Sequence, residues 1–147
     1  MKAIIFCLLV CLALSYDTGR AISYARKYCK NYNKNYKNYR NSGGDCANFV
    51  SQCLIAGGQS LSGCSGLDPK GTLPLVSNLE NCLSNKGWKK STGKPGGFKA
   101  GHPFFIHNQH AMIATSVSGN SLKYCGHTTD RCDAGMTAKS NYVYFYL

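Results

Sequence analysis

Gly43-Gly44-Asp45-Cys46-Ala47-Asn48-Phe49-Val50-Ser51-Gln52 holds the densest information in this chain. Two glycines and an aspartate end an irregular stretch, and a cysteine then stands in the first turn of a helical pattern. A thiol in that place meets unpaired backbone N–H groups and the positive end of the helix dipole, both of which favour thiolate. Such placement lowers a cysteine pKa from about 8.5 into the range of about 3.5–7.5, so the stretch predicts a nucleophile at Cys46. The helix should run from Cys46 to about Ala56, with Phe49, Val50, Cys53 and Leu54 as its buried stripe and Gly57-Gly58 as its stop.

Upstream, Asp17 or Thr18 caps a first helix expected to reach about Tyr32, with Ala21, Ile22, Ala25, Tyr28, Cys29 and Tyr32 facing a core. From Asn31 to Arg40, Asn, Tyr and Lys recur, and Tyr32, Tyr36 and Tyr39 keep helical spacing. Basic residues between aromatics suit single-stranded nucleic acid, but the favoured reading is tyrosines packed inward beneath a solvated lysine face. No nucleic-acid-binding motif is present.

Downstream, Pro74 opens a short helix with Leu75, Leu79 and Leu83 on its apolar side, and Gly87 ends it. Beyond Trp88 the pattern shortens to strands: Pro103–Ile106, Ala111–Val117, Leu122–Gly126 and Tyr142–Leu147, with a hairpin turn at Ser118–Ser121. Helices in the first half and an antiparallel sheet in the second predict an α+β fold.

The first fifteen residues read as a signal peptide: Lys2, an apolar run from Ala3 to Leu14, and small residues in Ala13-Leu14-Ser15 before Tyr16. The run falls short of the roughly 20 residues a membrane span needs. The expectation is therefore a secreted single domain over residues 16–147. The full chain has a formal net charge of +11, concentrated in Arg26–Arg40 and Lys86–Lys99, and favours anionic partners. Of nine cysteines, Cys7 and Cys11 lie in the leader. Cys29, Cys53, Cys64, Cys82, Cys125 and Cys132 can make three bridges in an oxidising compartment, leaving Cys46 as the odd thiol.

A cysteine nucleophile needs a base, and the base an orienting group. His110 opens one strand of the hairpin and His127 closes the other. With the turn at Gly119-Asn120, facing positions sum to about 239, which sets His127 within two residues of a place opposite His110. His102 and His107 sit in a loop and at a strand exit and are poorer candidates. Cys46, His110 and His127 could ligate zinc, yet they lack the close paired spacing of a metal site, so no metal is assigned.

Gly-Gly-Asp-Cys-Ala-Asn-Phe-Val-Ser-Gln-Cys-Leu followed by Ala56-Gly57-Gly58 resembles the signature of the Putative amidase domain family. Ala21–Ala25, Tyr36–Tyr39, Gly87-Trp88, Ala100-Gly101, His110–Ile113 and His127–Arg131 extend the likeness in the same order. The family is a branch of the papain-like superfamily related to NlpC-type cell-wall peptidases and CHAP amidases. The resemblance implies a papain-like core, Cys46 as nucleophile, His110 as general base and acid, and His127 as the orienting group, with Asp130 competing for that role. Asp45, Asn48 and Gln52 are the candidates for substrate or oxyanion contacts, and no cofactor is implied. Where such domains commonly have Asp after the Gly101 turn, this chain has His102.

The expected activity is cysteine-dependent hydrolysis of amide bonds in bacterial peptidoglycan, the partner being the cell wall or another anionic amide-containing substrate. The alternatives are a non-catalytic cationic binding or antimicrobial protein, and a cysteine peptidase or transferase acting on other substrates. Oligomeric state, the bond cleaved and disulfide connectivity are left open by the sequence.

Overall fold

The computed structural model describes residues 15–147; the expected leader lies outside the described residues. Three helices come first: α1 (Thr18–Tyr28), α2 (Cys46–Ala56) and α3 (Val76–Asn85). Six strands follow: β1 (Lys89–Thr92), β2 (Pro103–Ile106), β3 (His110–Ser118), β4 (Ser121–Gly126), β5 (Arg131–Thr137) and β6 (Val143–Tyr146). They form one antiparallel sheet in the order β1-β6-β2-β3-β4-β5. The expected α+β arrangement is present.

Alternation along the strands divides the core in two. Phe105, Ala111, Ile113, Cys125, Val143 and Phe145 face the helices, meeting Ala21, Phe49, Val50, Leu54 and Leu83. Phe104, Met112, Ala114, Leu122 and Tyr144 face the other way, under Phe98 from the loop before β2. Period-two strands send neighbours such as Phe104 and Phe105 to opposite faces, and here both are fully buried. Each such side chain contributes about 1.5–3 kcal/mol on removal from water.

Helix α2 follows the predicted bounds and packs across β3. It is buried well beyond a single stripe, from Cys46 through Leu54, so its polar members are inside too. Helix α1 ends at Tyr28, a turn before the expected Tyr32, and Asp17 caps it by accepting from the Arg20 N–H. The segment through Arg40 is irregular, because its tyrosines are held by side-chain bonds across the molecule rather than by helical packing. Strands β1 and β5 escaped the sequence reading: Lys89–Thr92 is polar, and Arg131–Thr137 mixes charge with Gly135.

The hairpin pairs Ser118 with Ser121, Val117 with Leu122 and Ser116 with Lys123, as the turn predicted. A bulge between Ala114 and Ser116 then moves the register by one, to Ala114–Tyr124 and Ile113–Cys125.

Two disulfides form, Cys29–Cys132 and Cys64–Cys82, instead of the three expected. Cys53 and Cys125 are free and fully buried, so Cys46 is one of three free thiols among the described residues. The longer bridge ties the end of α1 to β5 across 103 residues, worth about 4.7 kcal/mol of chain entropy for a loop of that order.

His102 is a core histidine. It is 3% exposed, its Nδ1 accepts from the Lys99 N–H at 3.1 Å, and its ring meets the edges or faces of Trp88 and Phe98. Burial, with Lys99 adding to it, lowers its pKa to about 4. An unfolded histidine titrates near 6.5, so between pH 6.5 and 4 the unfolded chain binds the extra proton and the fold loses stability as pH falls. The loss approaches about 3 kcal/mol at the low end of that window. Chemical denaturation at pH 7 and pH 4.5 should show this fall in the native chain and a smaller one in His102→Gln; equal falls would contradict the assignment.

Candidate active site

The approach to Cys46 is built by backbone conformation. Gly43 and Gly44 take φ of 94° and 105°, and a Cβ on Gly44 would press to 3.1 Å from the Thr128 hydroxyl. A left-handed turn against a neighbouring segment therefore calls for glycine here. Asp45 follows at the N-cap of α2, and its main-chain carbonyl accepts the Phe49 N–H.

The Asp45 side chain does not cap the helix. It is 1% exposed and turned away: Oδ1 accepts from the Tyr39 N–H and the Asn48 amide, each at 2.9 Å, and Oδ2 lies 2.7 Å from His127 Nδ1. An N-cap aspartate normally accepts an N–H of the first turn. Because this one is committed elsewhere, the first N–H groups of α2 are left to act on whatever stands beside Cys46.

Cys46 is 9% exposed, at the start of α2. The backbone N–H groups of Ala111, Ala47 and Cys46 favour its thiolate, but burial is the larger effect and holds the thiol pKa above the ordinary value. The neighbouring Asp45 carboxylate pushes the same way. The expected lowering of the thiol pKa is thus reversed in the free protein: the dipole and N–H groups are present, and desolvation outweighs them.

The Ala111 N–H places the thiol beside the first residues of β3, where His110 stands. The His110 side chain is half-buried and has no hydrogen-bond partner among the described residues. Burial holds its pKa below 6.5. No hydrogen bond joins it to Cys46 Sγ. Thiol and imidazole are therefore both biased toward their neutral forms.

His127 is placed differently from the sequence reading. It is 2% exposed and lies between Tyr32 and Phe49, with ring centroids at 3.9 and 4.0 Å. Nδ1 meets Asp45 and Nε2 meets the Tyr28 carbonyl at 2.9 Å. Both ring nitrogens are committed, so neither is available to orient His110. Asp130, its competitor, accepts from the Tyr32 hydroxyl at 2.7 Å and pairs with Arg40 at 3.5 Å.

Asn48 and Gln52 are likewise occupied. Asn48 donates to the Lys37 carbonyl at 2.8 Å and to Asp45, and accepts from Thr72. Gln52 accepts from the Tyr24 hydroxyl at 2.7 Å and lies six residues from Cys46, about 9 Å along the helix axis. These polar residues of α2 fasten neighbouring segments instead of facing an oxyanion. His107 approaches Glu80, which also accepts the Asn108 N–H, so that pair anchors the turn leading into His110. Sequence reasoning missed Glu80, and no local motif marks it.

No group of His, Cys, Asp and Glu that could hold a metal ion occurs among the described residues. A groove of about 650 Å³ runs along α1, lined by Arg20, Tyr24, Lys27 and Tyr28, but it does not include Cys46. Chemistry is better placed at the α2–β3 junction, where the Cys46 thiol and the uncapped N–H groups of the helix start lie against the strand that His110 opens.

Alkylation of Cys46 by iodoacetamide, followed by peptide mass spectrometry across pH 5–11, should rise with a midpoint above the ordinary thiol value. A rate already level below pH 7 would instead mark a preformed thiolate and contradict this balance.

The family model described as "Putative amidase domain" matches residues 15–99, more than half of the chain. Uncharacterized protein YhbB of Bacillus subtilis (strain 168) is 43% identical over 51 residues, covering 35% of this chain and 15% of YhbB. The chain therefore spans only a small part of that relative's length. No solved structure matches. The family match contains Cys46 with the loop and helix around it and ends before β2, so it does not reach His110 or His127. By the extent of that match, the chain belongs to the Putative amidase domain family.

Proposed function

We propose that the protein is a secreted cysteine amidohydrolase of papain-like type, acting on amide bonds of bacterial peptidoglycan. The observation that carries this reading is the buried Cys46 thiol in the first turn of α2, beside the Ala111 N–H and next in chain to the unpartnered His110. The amidase family supports the reaction class.

In the proposed reaction His110 takes the Cys46 proton as sulfur attacks the amide carbonyl, so no thiolate need persist in the free enzyme. A C–S bond forms, and the oxyanion is held by backbone N–H groups at the start of α2 that Asp45 leaves uncapped. The C–N bond then breaks, with the imidazolium returning its proton to the leaving amine. Water, deprotonated by His110, hydrolyses the thioester and restores the thiol. His110 must be neutral at the start; its low pKa keeps it so at neutral pH, and the acid limb of activity should fall below pH 6.5.

His127 acts here as a positioning residue. With Asp45 it fixes the residue preceding the nucleophile. The substrate assignment draws on the surplus of positive charge, which suits an anionic wall.

Purified protein lacking residues 1–15 should clear suspensions of bacterial walls. Cys46→Ala should abolish clearing, and His110→Ala should lower it by about 10²-fold or more. Undiminished clearing by Cys46→Ala would remove the mechanism and leave a non-catalytic cationic activity as the reading.

A further inference from the structure

The seventeen residues between α1 and α2 form no regular element, yet they are fastened throughout. Tyr32 donates to Asp130, Asn33 to the Tyr24 hydroxyl, and Tyr39 to Asp68, at 2.7, 2.9 and 2.7 Å. The Lys37 carbonyl and the Tyr39 N–H are held by Asn48 and Asp45, on either side of Cys46 in the chain. Irregular segments of this length are usually functional, and this one is joined directly to the start of α2.

Everything the loop uses for anchoring points inward, and its lysines do not. Lys30, Lys34 and Lys37 are exposed, and among the described residues no lysine pairs with a carboxylate. All six carboxylates have partners: Asp17 with Arg20, Asp45 with His127, Asp68 with Tyr39, Glu80 with His107, Asp130 with Arg40 and Asp133 with Arg26. Exposed, unneutralised cations on a segment bonded to both neighbours of the helix start attract an external polyanion, with reach limited to about 8 Å at physiological salt.

The tyrosines decide which polyanion. Single-stranded nucleic acid would need aromatic faces free for base stacking. Tyr32 already stacks on His127, and Tyr39 lies under Lys37 while donating to Asp68. With two of the loop's three tyrosines committed and only Tyr36 left, the lysine charge fits a phosphate- or carboxylate-bearing glycan, read as charge, better than a run of stacked bases.

We propose that Lys30, Lys34 and Lys37 form a binding rim, clamped to the α2 N-terminus, that holds an anionic glycan polymer of the bacterial wall and so delivers the attached amide to Cys46. The proposal takes its site from the functional reading above, but binding can be measured apart from turnover. The closing experiment is co-sedimentation of the Cys46→Ala chain with purified walls over a range of NaCl concentrations. Lys30→Gln/Lys34→Gln/Lys37→Gln should weaken binding about tenfold at low salt, and the difference should vanish at high salt. Lys89→Gln/Lys90→Gln/Lys94→Gln changes the charge equally on β1 and the loop after it, with β1 three strand spacings or about 14 Å from β3, and should change binding less than twofold.

Walls stripped of their phosphate- and carboxylate-bearing polymers should bind the native rim as weakly as intact walls bind the loop variant. In the chain retaining Cys46, the loop substitutions should leave the rate of Cys46 alkylation unchanged. Equal losses from both triple variants, unaltered binding to stripped walls, or loop-dependent binding to oligo(dT) as tight as to walls would each overturn the rim. Failure of the enzyme reading would show separately, as wild-type protein that binds walls without cleaving them.

Discussion

The Asp45–His127 contact is the constraint on which the site depends. It joins residues 82 apart in sequence at 2.7 Å, with both side chains almost fully withdrawn from water. The Tyr28 carbonyl can only accept, so His127 Nε2 carries a hydrogen, and one further proton is shared between Nδ1 and the carboxylate. Paired in this way, the two groups bury no net charge, the condition under which such a contact is tolerable inside a protein. Removing either partner would leave the other desolvated and unpaired, which typically costs about 3–5 kcal/mol. The pair brings together the end of β4, the last turn of α1 and the residue before Cys46. It also diverts the Asp45 carboxylate from its local task of capping α2, and the uncapped N–H groups are what the proposed chemistry uses.

Much of this was legible in the sequence because it was local. The glycines before Asp45, the apolar stripe of α2 and the Gly57-Gly58 stop fixed that helix to its observed ends. The hairpin turn set the β3–β4 register until the bulge near Thr115, whose hydroxyl reaches Asp133 on β5, a residue that no local rule connects to it. The apolar run of β2 announced itself, whereas β1 and β5 are polar edge strands specified by their partners in the sheet.

Long-range contacts account for what could not be read. Periodicity continued α1 to Tyr32, but the Tyr32 ring is taken by His127 and its hydroxyl by Asp130, so the chain leaves the helix. His127 looked like an orienting group for His110 by its place on the hairpin; its nitrogens were claimed by Asp45 and by a carbonyl nearly one hundred residues away. Cysteine parity favoured three bridges, whereas Cys53 and Cys125 stay free within the core. The Cys46 thiol shows the same lesson in energetic form. The helix start was visible and its effect real, but how deeply the folded chain would bury the sulfur was not.

The central claim is that Cys46 alone forms the covalent intermediate. Acid-quenching the protein with soluble peptidoglycan fragments and mapping the digest by mass spectrometry tests it directly. The account predicts an acyl adduct on the peptide containing Cys46, through sulfur, and none on Cys53 or Cys125. Turnover of the fragments with no adduct on Cys46, or with the acyl group on another residue, would contradict it.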